Sequence, residues 1–185
     1  MNGHDKIFMQ TYTGLRPNPI CPTPEDICLE DIAQSLSMLC RFTGHCRRFY
    51  TVAEHSIRVA DLIYQKTQDA NAAFEGLMHD SPEAYINDMS RPLKIQLPEY
   101  RKIESQVWLA IAKRFGLKET HSELTKWADN VLVATEGRDL MGSIEGWTLP
   151  EPPLEEHIEK LLTPRNRMPR LFKLMFALYD KERNE

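Results

Sequence analysis

TVAEHSIRVADLIYQKTQDANAAFEGLMHDSPEAYIND, residues 51–88, decides the fold class and carries the first chemical signal. Thr51 with Glu54 three positions on is a capping-box pattern: the threonine hydroxyl accepts from the amide of residue 54, and the glutamate reaches back. Val52, Ile57, Val59, Ala60, Leu62 and Ile63 then recur at helical spacing and give a broad apolar face. Asp69 can cap a second helix over residues 70–79, whose small residues Ala72, Ala73 and Gly76 permit close packing. That helix runs into His79-Asp80. In Ser81-Pro82-Glu83, the proline either opens a new helix or kinks the old one. If the turn stays helical, Glu83 lies at i+4 from His79 and shares its face. Asp88 follows within reach. A mixed set of histidine and carboxylate suits a borderline divalent transition metal. The dipeptide alone is weak, because His4-Asp5 repeats it in a polar N-terminus with no sign of function. His55, on the first of these helices, gains weight only from its partners.

Outward from this stretch the pattern stays helical. Ile32, Leu36 and Leu39 predict an amphipathic helix from residue 30 that runs out near Cys40-Arg41-Phe42, broken by Thr43-Gly44. The loop over residues 44–50 gathers His45, Arg47 and Arg48, either a solvated basic turn or the lip of a phosphate pocket. Residues 88–97 read as a loop carrying Arg91 and Lys94. Tyr100, Ile103, Val107, Ile111 and Phe115 predict a helix over Pro98–Phe115 closed by Gly116. A helix over residues 121–140 buries Leu124, Trp127, Ala128, Val131, Leu132 and Thr135 and places Asp129 beside that stripe, where a carboxylate must be exposed or partnered. Two further helices are expected over residues 154–162 and 168–183. Four prolines between residues 17 and 24 predict an irregular lead-in with at most a short strand. The class is all-α.

A length of 185 residues fits one domain with a substantial core: a lead-in over 1–29, a core over 30–141, and a loop with terminal helices over 142–185. Apolar residues make up 42% and charged residues 27%, and no apolar run is long enough to cross a bilayer, so no membrane partner is expected. Residues 1–10 lack the pattern of a signal peptide, and the expected compartment is the cytoplasm. The net charge of −4 argues against a broad face for polymeric nucleic acid, whereas a small phosphate ester needs only a cation and a few donors. Cys21, Cys28, Cys40 and Cys46 form no C-x-x-C pair, which speaks against a zinc knuckle and for free, partly buried thiols.

His55, His79-Asp80 and Asp129 fall on three predicted helices in the order H…HD…D. With CRFTGH, FYTVAEHS, LMHDSPEAYIND, RPLK and WADNVLVATE, this order resembles the HD-domain metal-dependent phosphohydrolase superfamily over about residues 31–139. Within it the chain is similar to small phage and prophage phosphohydrolases related to 5'-deoxynucleotidases and phage dATP triphosphohydrolases. The resemblance implies an HD-domain helical bundle holding one divalent transition metal, Zn, Co, Mn or Fe, with Mg also admissible. Its ligands would be His55, His79, Asp80 and Asp129. Glu83 would orient or deprotonate the attacking water, and Asp88 would assist proton transfer to the leaving oxygen. Arg41, Phe42, His45 and Lys94 match substrate-contacting positions, with Arg47, Arg48 and Arg91 as further basic candidates. In the deoxynucleotidases an arginine-tryptophan pair excludes the ribose 2'-hydroxyl; here Arg41-Phe42 keeps the apolar wall and lacks the indole donor. Glu136 and Asp139 read as solvated or paired with Arg138, with outer-shell support of the metal as a minor alternative. The implied reaction removes phosphate from a purine 2'-deoxynucleotide, mono- or triphosphate, to leave the nucleoside, in a homo-oligomer. The competing readings are a non-catalytic metal- or nucleotide-binding HD module and a cyclic-nucleotide phosphodiesterase, whose relatives carry additional histidine ligands.

Overall fold

The Thr51 hydroxyl accepts from the amide of Glu54 at 3.0 Å, and the helix it opens, α2 (Val52–Thr67), packs against four other helices. The return half of the capping box is replaced by an ion pair, because the Glu54 carboxylate takes Arg58 one turn on at 2.9 Å. The computed structural model describes residues 7–185, so His4-Asp5 lies outside the described residues. Around α2 stand α1 (Leu29–Met38), α3 (Ala70–Met78), α7 (Glu123–Leu140) and α8 (Met168–Glu182). The short α4 (Glu83–Ile86) and α5 (Arg91–Gln96) lead to the longer α6 (Pro98–Phe115). No strand occurs among the described residues; an isolated antiparallel bridge joins Cys40 to Thr51. The fold is all-α.

The core is built where apolar stripes meet: Val52, Val59 and Ile63 of α2 against Phe74, Leu77 and Met78 of α3, with Leu132 of α7 and Phe172 of α8. Gly76 lets α2 and α3 approach, since a Cβ there would lie 2.6 Å from Cδ1 of Ile63 and 3.3 Å from Cγ1 of Val59. Asp69 caps α3 by accepting from the amides of Asn71 and Ala72. Gly116 closes α6 in the left-handed region at φ 67°, as its position predicts.

The lead-in is irregular, as expected, with a 3-10 turn over Pro24–Asp26 and no strand. Three expectations are corrected. The first helix stops at Met38, because the chain turns over Arg41–Gly44 with Phe42 and Thr43 at φ 55° and 54°. Residues 88–97 are not all loop: Arg91–Gln96 is helical, with Pro92 in the first turn, where its missing donor costs nothing. Residues 154–162 form no helix, because their backbone groups are taken by side chains of α7. Thr135 accepts from the Leu154 amide at 2.9 Å, Asp139 from the Ile158 amide at 2.7 Å, and Arg138 donates to the carbonyls of Leu154 and Glu156.

Candidate metal centre

Three elements converge on one point. His55 sits in the first turns of α2 and is wholly buried; His79 and Asp80 follow the last residue of α3; Asp129 lies on α7. The His55, His79 and Asp80 group could hold a metal ion, since one ligand atom from each lies within 4.8 Å of the others. His79 Nε2 is 3.2 Å and His55 Nε2 3.6 Å from Oδ2 of Asp80. Asp129 Oδ1 is 3.1 Å from His55 Nε2 and 4.0 Å from His79 Nε2. Ligands at 2.0–2.1 Å around a tetrahedral ion stand roughly 3.3 Å apart, so these separations match the edges of a coordination shell. Both Nε2 atoms are buried, and although carboxylate oxygens stand 3.1–3.6 Å away neither makes a well-angled hydrogen bond, as expected of nitrogens shaped to ligate a cation. The donor chemistry therefore fits a divalent metal.

The far side of each imidazole is fixed. His79 Nδ1 lies 2.7 Å from the carbonyl of Gly76, an acceptor, so that nitrogen carries the proton and Nε2 keeps its lone pair for the centre. His55 Nδ1 lies 2.6 Å from Oε1 of Glu136, which also accepts from the Tyr50 hydroxyl at 2.9 Å; Oε2 accepts from Arg41 Nε at 3.0 Å. Glu136 is thus corrected. It is fully buried, ties three donors together and does not meet Arg138, which pairs with Asp139 as expected. Such an outer partner orients a metal-binding histidine and raises its basicity. Its signal was present in the sequence, because Glu136 lies two turns after Asp129 and so on the same face of α7.

Charge in the centre is lopsided. Burial opposes ionisation of Asp80, but His79, His55 and Arg41 outweigh it and hold the carboxyl well below the usual range. Glu136 and Asp129 are lowered in the same way, against burial, by Arg41 with His55 and by His55 respectively. Burial and Arg41 oppose a charge on His55, yet Glu136 and Asp129 push its imidazole up to about 9. Protons there offset part of the negative charge a cation would neutralise. Glu83, also buried, moves the other way: burial, then Asp80 and Asp88, push its carboxyl well up, and Asp88 is raised chiefly by its own burial. Two carboxyls that resist ionisation beside three that do not are the raw material of acid and base chemistry.

The other predicted contacts scatter. Arg41 is buried and spans Glu136 and Asp80, the latter at 3.4 Å, so it already serves protein carboxylates. Its guanidinium stands 5.4 Å from the Phe42 ring, and Phe42 stacks obliquely on Trp147 at 6.2 Å. The φ values of Phe42 and Thr43 are uncommon for residues with a Cβ, at about 1–2 kcal/mol each, and set the turn that aims Arg41 inward. Lys94 pairs with Glu104 at 2.6 Å. His45 is exposed. Arg47 and Arg48 do not join the centre but line a separate open cleft with Arg138 and His157.

No protein-family model matches the chain. Over 133 residues it is 41% identical to the uncharacterized protein YfdR of Escherichia coli, an alignment covering 72% of each protein. The chain belongs to the YfdR family. The uncharacterized protein RCAP_rcc00048 of Rhodobacter capsulatus is 30% identical over 149 residues, 76% of each chain. No helix among the described residues is long and apolar enough to cross a membrane.

Proposed function

We propose that this YfdR-family protein is an HD-type, metal-dependent phosphohydrolase that removes phosphate from nucleotides, with purine 2'-deoxynucleoside mono- or triphosphates as its substrate class. The observation that carries the reading is the meeting of two unpartnered imidazole nitrogens with Asp80 and Asp129, close to a second pair of carboxyls, Glu83 and Asp88. His55, His79, Asp80 and Asp129 would hold one divalent transition ion. When bound, such an ion supplies Lewis acidity, lowering the pKa of water and neutralising phosphoryl oxygens. Glu83, whose proton affinity is raised, accepts the proton of the attacking water. Asp88 delivers a proton to the leaving oxygen. Arg41, held between Asp80 and Glu136, balances the carboxylates of the site. The Phe42–Trp147 pair gives the sugar and base an apolar wall.

The test is a phosphate-release assay on chelator-stripped protein, across deoxy- and ribonucleoside mono- and triphosphates, with manganese, cobalt, zinc or magnesium added back. Metal should restore release from deoxynucleotides, and Asp80→Ala should abolish both metal binding and turnover. Full activity in a metal-free Asp80→Ala protein, or tight metal binding with no release from any nucleotide, refutes the proposal.

A further inference from the structure

Outside the metal centre, the sharpest juxtaposition of reactive groups is a pair of thiols. Cys40 and Cys46 close the base of the turn that carries Arg41 and Phe42, with their Sγ atoms 3.6 Å apart. The Cys40 side is pinned to the start of α2: the Arg41 amide donates to the Tyr50 carbonyl at 2.9 Å and the Val52 amide to the Leu39 carbonyl at 3.1 Å. The Cys46 thiol points back at the Arg41 carbonyl, 3.8 Å away. Both cysteines are half-buried, so a small reagent can reach them, while Cys21 is exposed and has no thiol partner among the described residues. A disulfide needs its sulfurs about 2.05 Å apart, so closure asks for roughly 1.5 Å of movement, within reach of side-chain rotation and a slight tightening of the turn.

We propose that Cys40 and Cys46 are an oxidative modification site, converted by low-molecular-weight disulfides into a reversible intrachain disulfide that locks the Arg41–Phe42 turn. The Cys40 thiolate attacks one sulfur of the small disulfide, forming a mixed disulfide and releasing one small thiol. The Cys46 thiolate then attacks the Cys40 sulfur and expels the second small thiol. Two protein thiols are oxidised, one small disulfide is reduced, and two small thiols leave with the two protons. Burial and the neighbouring Cys40 push the Cys46 thiol up, so the second step quickens as pH rises. The ring that forms encloses residues 41–45, including Phe42, Thr43 and Gly44, all three already at positive φ. Locking them fixes the backbone from which Arg41 reaches Asp80 and Glu136. A bridge closing so short a loop stabilises less than one spanning a long loop, which suits a transient, redox-responsive bond better than a structural one.

The experiment uses the full reduced chain incubated with oxidised glutathione. Trypsin cuts after Arg41 and Arg47, so Cys40 and Cys46 fall on separate peptides that stay together only if a disulfide joins them. The expected result is a linked Cys40–Cys46 peptide pair lighter by two hydrogens, a free-thiol count lowered by two, reversal by dithiothreitol, and slower amide exchange over residues 41–50. Cys40→Ser and Cys46→Ser should each leave the other thiol glutathionylated, and the Cys21→Ser/Cys28→Ser double variant should still close the bridge. Wild-type protein that stays folded yet ends with both thiols free, or both glutathionylated, overturns the proposal, as does a bridge that leaves exchange over residues 41–50 unchanged. None of these readouts depends on the chain hydrolysing nucleotides.

Discussion

Replacing Glu136 by glutamine keeps the side-chain volume and removes one negative charge from a residue with no solvent exposure. The carboxylate accepts three hydrogen bonds, from His55 and Tyr50 on Oε1 and from Arg41 on Oε2. Glutamine has one accepting oxygen. With that oxygen in the Oε1 place, its NH2 group faces the Nε–H of Arg41, donor against donor. With the amide turned over, NH2 faces His55 Nδ1, and the ring must move its proton to Nε2, where no lone pair is left for a metal. A lost hydrogen bond to a charged group costs about 1.5–3 kcal/mol, and breaking a buried ion pair about 3–5 kcal/mol. Arg41 keeps Asp80 at 3.4 Å, so the lower end applies and Glu136→Gln should destabilise the fold by about 3 kcal/mol. Metal affinity should fall about 10–100-fold, the usual loss when the outer partner of a ligating histidine is removed. Urea unfolding reads the first quantity and competition between the protein and a chelator for cobalt reads the second. Tyr50→Phe is the control: it removes one donor and no charge, costs about 1 kcal/mol and leaves cobalt affinity near wild type. A Glu136→Gln protein that holds cobalt as tightly as wild type, or a Tyr50→Phe protein that weakens it equally, would show that Glu136 does not set the His55 tautomer.

Gly76→Ala drives a Cβ into the Ile63 side chain at 2.6 Å; overpacking of about 1–3 kcal/mol, less about 1 kcal/mol of helix propensity, leaves a net loss of about 1 kcal/mol in urea unfolding. Asp139 is held well below the usual carboxylate range, chiefly by Arg138 against its own burial, with the Ile158 amide and His157 adding to the effect. Its folded value is depressed, so it stabilises the fold above the unfolded value of about 3.9 and loses that contribution as pH falls further. Asp139→Asn should therefore flatten the acid limb of the stability–pH curve, measured by denaturant midpoints, and a limb as steep as wild type would count against the Arg138–Asp139 pair as its source. Glu83→Gln should lower kcat about 10²–10⁴-fold with metal affinity unchanged; a small drop in kcat would remove Glu83 as the base.

Helix caps and candidate ligands are legible in the sequence for different reasons. Thr51, Asp69 and Gly116 act within one turn of themselves, so local chemistry predicts α2, α3 and the end of α6. His55, His79, Asp80 and Asp129 were legible because their order survives folding, although spacing alone does not say that three helices bring them within a few ångströms. The missing helix over residues 154–162 was not legible, since its backbone is satisfied by Thr135, Arg138 and Asp139 from a distant segment. Glu136 shares the face of Asp129 on α7, a signal present in the sequence, whereas its partner Arg41, 95 positions away, is set by packing alone. Arg47 and Arg48 show the converse: proximity in sequence to Arg41 placed them beside the centre, and the turn at Phe42 and Thr43 sends them elsewhere.

Helix α8 covers α1, α2 and α3, with Phe176 wedged edge-on between Phe74 and Phe115 and Lys173 joined to Glu30 across 143 positions. At a synthesis speed of about 5–20 residues per second, roughly 7–30 s separate the emergence of α1 from that of its covering helix. Phe74, about 100 positions before Phe176, waits roughly 5–20 s for its cover and stays exposed at the ribosome exit meanwhile. A chain released before α8 is complete therefore exposes an aromatic face that the finished fold hides.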